Sequence, residues 1–439
     1  MSGQIIEVVD LGFGDAGKGS MIDYLAMRLG AEWIVRFNGG PQAAHNVVLS
    51  DGRHHTFAQF GSATFRPDSR TLLSRFMMIE PYAMLNEAAH LAEIGVNNAM
   101  ERTFIDERCL VVTPPQQIAN RIRERARGDC AHGTCGMGIG ECADDSQRFG
   151  DPLRAGEMRD SSTVRRKLRV SLDRKRSDLS EYISLATKQE LEVFNNTTWI
   201  ETAAQVYEGI AGRTNLIDTD TASTILRKSQ CTIFEGAQGV LLDERYGFHP
   251  HTTWSKTTFT NADDLLNESG AEFSRTRLGI IRPYIVRHGN GPLVTEFKEQ
   301  SRIPTEIHNN DDGWPGKFRR GALDLVMLRY AIRACGGLDA LGLTHVDHLP
   351  YLPPMACAYY ELMGQKFEPT PSDVLEKMAD TTQSLKQAIP HYRQWPVENA
   401  EEFVSAIQSE FALPVCWLSN GQTREAKREL DFVSGRIPR

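Results

Sequence analysis

The chain has no apolar run approaching the ~18 residues that a helix needs to cross a bilayer, so no membrane partner is expected. No basic stretch leads into an apolar core near the first residues, and a secretory signal is not expected either. Internal repeats, low-complexity tracts and Pro/Gly/Ser linkers are missing, which argues against an array or a tethered multidomain chain. Positive charge is not in excess: the formal net charge is −8, which excludes general nucleic-acid binding. The one local exception is the run Arg165-Arg166-Lys167 to Arg174-Lys175-Arg176, whose interleaved leucines predict a helix with a basic, solvated face. Cysteine is sparse for a disulfide scaffold. The eight residues are scattered and point to a reducing, cytoplasmic setting. Cys130, Cys135 and Cys142 with His132 invite a zinc reading. Their C-x4-C-x6-C spacing lacks the second Cys-x2-Cys knuckle of a structural site, and small residues in a loop are the expectation.

What is present is strand–helix alternation. Apolar runs at Ile5–Leu11, Trp33–Phe37, Cys109–Val112, Thr232–Phe234, Gly279–Val286, Ala340–Val346 and Leu413–Leu418 are continuous rather than alternating. Strands covered on both faces read this way. Between them lie helical patterns, such as one opening at Glu80-Pro81 and ending at Gly95, and one from Leu323 stopping at Gly336-Gly337. The expected fold is α/β, with a large, mostly parallel central sheet flanked by helices and a phosphate loop after the first strand. One domain over 1–439 with long insertions is expected.

That loop is the strongest local signal. Ile5–Leu11 runs into Gly12-Phe13-Gly14-Asp15-Ala16-Gly17-Lys18-Gly19-Ser20, a G-x4-G-K pattern between a buried strand and a helix starting near Lys18. Gly12, Gly14, Gly17 and Gly19 let backbone N–H groups face phosphate, and Lys18 adds a point charge. Gly19 stands where a hydrolase loop carries its magnesium-binding Ser or Thr, and Asp15 sets a carboxylate inside an anion site. That placement requires a bridging cation or a chemical task.

These residues resemble the adenylosuccinate synthetase family. Its opening G-D-E-G-K-G-K is approximated by Gly14 to Ser20, its V-R-x-x-G-G-x-N-A-G-H-T by Val35 to Asn46, and its F-E-G-A-Q-G-x-L-L-D is matched throughout by Phe234 to Asp243. The resemblance implies a ligase that phosphorylates the 6-oxygen of a purine nucleotide and displaces the phosphate with an amino acid. It implies Asp15 as the base at N1 and a magnesium ligand, the Ala44 carbonyl as a further ligand, His45 as the acid at the 6-oxygen, and Gln238 on the base edge. It places the nucleotide phosphate at Gln42, Thr134 or Cys135, and Thr253. The donor, GTP or else ATP, falls at the phosphate loop with His345, Asp347, Ser419 and Gly421. Arg148 lies near an arginine given across a homodimer interface, and Lys317, Arg319 and Arg320 stand for the carboxylate grip on the amino acid. His132 and His288 receive no role.

Three departures bear on substrate. Ala16 and Ser20 replace a glutamate and a lysine. The guanine-reading T-K-x-D appears as Thr344-His345-Val346-Asp347. The aspartate-binding T-T-G-R-x-R-R becomes Asp311-Asp312-Gly313-Trp314-Pro315-Gly316-Lys317-Phe318-Arg319-Arg320. A viral branch of the family that adds aspartate to dGMP also diverges here, but replaces the loop aspartate by serine. Asp15 is retained in this chain, which favours IMP or dIMP over dGMP. A paralogue using another amino acid and a non-ligating GTP switch are the remaining readings.

Overall fold

The computed structural model describes residues 3–299, 303–306, 309, 314, 316–396 and 399–430. Ten strands form the central sheet: β1 (Gly3–Asp10), β2 (Trp33–Arg36), β3 (Arg70–Leu73), β4 (Thr103–Asp106), β5 (Asn215–Ile217), β6 (Cys231–Glu235), β7 (Phe273–Ile281), β8 (Ala340–Leu343), β9 (Val415–Ser419) and β10 (Lys427–Glu429). Their order is β10-β9-β8-β7-β1-β6-β2-β3-β4-β5, and every pairing is parallel except β10 with β9. The expected α/β class is thus the observed one. β1 is central because Ile5, Ile6, Val8 and Val9 are all buried, which only a strand covered on both faces can satisfy.

Helices α1 (Lys18–Leu29), α2 (Pro81–Glu93), α3 (Pro114–Arg127), α4 (Ile139–Phe149), α5 (Ser161–Asp178) and α6 (Leu325–Ala334) bear on the site or its frame. α1 starts at Lys18 as the loop pattern predicts, with Gly17 in the left-handed region. α2 has Pro81 in its first turn and the Glu80 carboxylate accepting from the Tyr82 and Ala83 amides, so two orphan donors are capped.

Three expectations are corrected. The run Gly279–Val286 is not one strand: β7 ends at Ile281, and Ile285–His288 pairs antiparallel with Phe318–Gly321 in a separate ribbon. Cys109–Val112 gives only the short strand Leu110–Val111, which pairs with Met78–Ile79 outside the central sheet. The basic face of α5 is partly internal. Lys175 is fully buried and donates to Glu141 and Asp145 of α4, both at 2.7 Å, and Lys167 pairs with Asp151 and Glu157. Arg165 meets Glu201. Arg165, Lys167 and Lys175 of the run read as a basic patch are thus paired with acids outside it. Cys142 is buried within α4. Among the described residues no group of three or more His, Cys, Asp or Glu is placed to hold a metal, and no helix is long and apolar enough to cross a membrane.

Candidate active site

The parallel sheet aligns the carboxyl ends of its strands on one edge, where loops can converge. Residues 12–18 follow β1, 38–45 follow β2, 236–239 follow β6, 282–288 follow β7, 344–347 follow β8, and 420–422 follow β9. Each of these loops contributes to a single cleft of about 1450 Å³. Asp15, Gln42, Ala44, His45, Thr134, Cys135, Gln238, Thr253, His345, Asp347, Ser419 and Gly421 all line it, with Gly14, Gly17, Lys18 and Gly19. The six loops are thus brought together by the topology, and the segments carrying Thr134, Cys135 and Thr253 join them.

The phosphate loop is closed by a residue that the sequence pattern left without a role. The Asp10 carboxylate ends β1 and accepts from the Gly12 amide at 2.7 Å and the Ala16 amide at 2.8 Å. It also faces the Lys18 ammonium at 3.3 Å, while Lys18 donates to the Gln238 carbonyl at 2.6 Å. Gly12 therefore departs from its expected place. Its amide is engaged by Asp10, and it lies beneath the loop rather than on the cleft wall.

Among the described residues five non-glycine positions have left-handed backbones, and Asp15, Gln238 and His345 are three of them. All three line the cleft. Such conformations cost on the order of 1 kcal/mol each and persist where the surroundings impose them, often at functional sites. The surroundings of Asp15 are explicit. Arg282 donates to its carbonyl at 2.8 Å and is itself paired with Glu306. Burial raises the Asp15 carboxyl above its usual range, opposed chiefly by His288 and reinforced by Glu306 and Asp10. His288 Nε2 stands 3.5 Å from the Asp15 carboxylate, so this histidine belongs to the site, contrary to expectation.

His45 is fixed from behind. Its Nδ1 lies 2.5 Å from a Glu235 carboxylate oxygen, and Glu235 also accepts from the Ser62 amide at 2.9 Å and from the Ser62 hydroxyl. Burial pushes His45 down to about 4, with Arg36 and Lys18 acting in the same direction against Glu235. Arg36, His45 and Ser62 more than offset the burial of Glu235 and hold it at about 2. With Nδ1 donating to the carboxylate, the neutral ring leaves Nε2 as a proton acceptor, and only after it takes that proton can Nε2 donate. The strand carrying His45 packs on α1 so closely that a Cβ on Gly19 would meet the His45 Cβ at 2.6 Å and its backbone at 3.0 Å. This explains glycine at the position of the usual Ser or Thr. Gly19→Ala is expected to destabilise the fold by about 1–3 kcal/mol through overpacking, seen as a lower Tm, and to reduce turnover by displacing His45.

Two side-chain amides that line the cleft have unpartnered polar atoms among the described residues. Both polar atoms of Gln42 and the Gln238 oxygen are buried without a hydrogen bond in the protein. An unmet buried polar group costs about 1–3 kcal/mol. The Thr134 hydroxyl is held by Asn120 at 3.1 Å, and the Thr253 amide donates to the Leu242 carbonyl.

Not every expected residue arrives. Arg319 is tied to Glu296 and to the Gly289 and Gly291 carbonyls, and Arg320 is buried with its guanidinium on the Ile303 carbonyl. Neither lines the cleft, nor does Lys317, which is exposed. Asp311–Gly313 and Pro315 of that loop lie outside the described residues. Arg148 is exposed on α4 and pairs with Asp144; Asp144 lines the cleft and Arg148 itself does not.

A model of the adenylosuccinate synthetase family matches residues 7–428. The chain belongs to that family. The adenylosuccinate synthetase of Alkaliphilus metalliredigens is 30% identical over 433 residues, covering 95% of this chain and 97% of that protein. That of Clostridium perfringens is 30% identical, covering 89% and 87%. The fold is shared with a fully ligated adenylosuccinate synthetase from Plasmodium falciparum at TM-score 0.79, 20% identity and 98% and 100% coverage. It is shared more distantly with a cyanophage S-2L succinoaminodeoxyadenylate synthetase bound to dGMP and dATP, at TM-score 0.60, 16% identity and 98% and 96% coverage. The family resemblance read from Phe234–Asp243 and the phosphate loop therefore holds along nearly the whole chain. The chain is a ligase that joins carbon to nitrogen on a purine nucleotide and cleaves a nucleoside triphosphate.

Proposed function

We propose that the chain transfers the γ-phosphoryl group of GTP to the 6-oxygen of IMP or dIMP, and that the amine of aspartate then displaces phosphate to give an adenylosuccinate-type product. The observation that carries this reading is the pairing, in one cleft, of the Asp15 carboxylate of the phosphate loop with the His45 imidazole oriented by Glu235. Asp15 takes the N1 proton, so that electron density moves onto the 6-oxygen. His45, once Nε2 takes a proton from solvent with the Glu235 carboxylate behind the ring, donates to that oxygen, and Lys18 supports the phosphates. Gln238 and Gln42 meet the base edge and the nucleotide phosphate with their unpartnered amides, joined by Thr134, Cys135 and Thr253. Positioning supplies much of the rate in such phosphoryl transfers.

Magnesium fits the donor set. Asp15 offers one carboxylate, with its side chain 27% exposed, and Ala44 is an exposed residue of the cleft wall whose carbonyl would be the second ligand. A hard cation that keeps water and phosphate ligands needs few protein groups, and the ion would neutralise charge between Asp15 and the triphosphate. Arg148, free of its own cleft, is assigned to the partner's cleft in a homodimer. Lys317, Arg319 and Arg320 are assigned to the amino-acid carboxylate, which requires Arg319 to leave Glu296. With six of eight free cysteines buried, the setting proposed is the cytoplasm.

The test is a matrix of purified protein with IMP, dIMP or dGMP, GTP or ATP, magnesium, and aspartate or other amino acids. Product from IMP, GTP and aspartate is expected. Turnover with dGMP and ATP alone would overturn the substrate assignment. Phosphate release independent of nucleotide acceptor and amino acid would indicate a switch instead.

A further inference from the structure

β10 carries a buried lysine that neither the phosphate chemistry nor the acceptor site uses. Lys427, 6% exposed, pairs in register with Ser419 of β9. Its ammonium donates to three consecutive carbonyls of the connecting loop, those of Gly421 at 3.3 Å, Gln422 at 3.1 Å and Thr423 at 2.8 Å. An ammonium has three donors, and all three are matched within 420–426. The loop is otherwise anchored by Arg424, whose guanidinium grips Asp23 of α1 with two bonds of 2.5 Å. Ser419, Gly421 and Gln422 lie on the cleft wall with Asp347.

The peptide group is planar and trans, so a carbonyl turned toward the lysine turns the following N–H away from it. Three successive carbonyls gathered on one cation therefore present successive N–H groups outward. Without the cation, the three carbonyl oxygens would repel one another: Gly421 and Thr423 would keep the Ser419 hydroxyl and the Ala426 amide as partners, and Gln422 would lose its bond to the lysine. We propose that Lys427 is a positioning residue for the donor nucleotide: it holds 420–424 in the conformation that receives the base of the triphosphate. This rests on the reading that the donor base sits at Asp347, Ser419 and Gly421. The charged groups facing Lys427 are Asp23 on α1, Asp347 after β8, and Arg424 and Glu425 on its own loop. Burial pushes its ammonium down to about 8 against the pull of these acids.

The experiment measures KM for GTP, for IMP and for aspartate, with kcat, in wild type, Lys427→Met, Lys427→Arg and Asp347→Ala. ATP replaces GTP throughout if ATP is the donor that the wild type uses. Lys427→Met is expected to raise the donor KM about tenfold, a 1.4 kcal/mol loss, with the other two KM values within about twofold. Lys427→Arg is expected to restore most of the loss. An unchanged donor KM in a folded Lys427→Met protein, or equal rises in all three KM values, would overturn the inference. If Lys427→Met does not fold, the wild type carries the test. Its donor KM should rise between neutral pH and about pH 8.5 as the ammonium deprotonates, and the rise should be missing in Lys427→Arg. Identical behaviour of the two proteins would overturn it. Asp347→Ala separates the two levels. A raised donor KM there beside an unchanged one in Lys427→Met sinks only the lysine's role, whereas unchanged values in both sink the base-site reading.

Discussion

Asp15→Asn is expected to lose turnover by a factor of about 10²–10⁴, the usual contribution of a positioned general base, while its melting temperature stays near that of the wild type. Asparagine is the informative replacement because the Asp15 backbone is left-handed, with φ 61°. Asparagine tolerates that region nearly as well as aspartate, so neither strain nor lost volume accompanies the change. What disappears is the capacity to take a proton and the charge that a magnesium ion would meet. Asp15→Ala should be equally inactive but less stable, since alanine in the left-handed region costs about 1–2 kcal/mol. Steady-state kinetics beside thermal melts distinguish the two effects. An active Asp15→Asn protein would remove the carboxylate from the mechanism.

The second large effect is expected one shell further out. Glu235→Gln preserves size and keeps one oxygen that can still accept from His45 Nδ1, but the charge that fixes the imidazole is gone. Glu235 is fully buried, and its oxygens already accept from His45 and from the Ser62 amide and hydroxyl. A neutral amide must offer its NH2 to one of these donors, and the repulsion is relieved by rotating His45 or reversing its tautomer. Removing the orienting carboxylate behind a catalytic histidine lowers kcat by about 10⁴ in serine proteases, and a fall of about 10²–10⁴ is expected here. KM for the purine nucleotide should change little, because the lost interaction acts on the proton and not on binding. A kcat within about twofold of wild type would show that His45 is held by other means.

The two variants mark how far the sequence could be read. Strands such as β1 and β6 were legible because continuous burial leaves an unbroken apolar run. β3, β4 and β5 were not, since three or four residues at the sheet's far side carry no periodicity of their own. The run through Gly279–Val286 concealed a strand end because both pieces are buried and only their partners differ. At the site, the phosphate-loop residues and the glutamine and histidine blocks were legible through motif spacing. Glu235 stood inside the Phe234–Asp243 block without a role, as its task depends on a histidine 190 positions away in the chain. Asp10 lay inside the apolar run Ile5–Leu11, and only the folded loop shows it accepting two loop amides. His288 had no motif around it, and its significance arises solely from the turn that brings it beside Asp15. Arg319 shows the opposite case. Its position in a motif suggested a ligand, while the fold gives it Glu296 and two carbonyls. Pairing across the chain is what a linear reading lacks.

Activation of the purine through its own 6-oxygen has a direct signature. IMP carrying a heavy-oxygen label at that position should pass the label into the phosphate released, one labelled oxygen for each product formed, because the carbon–oxygen bond breaks when the amine enters. Mass analysis of the phosphate after turnover with GTP and aspartate reads this outcome. Label remaining with the nucleotide, or phosphate released without it while product accumulates, would contradict the chemistry assigned to Asp15 and His45.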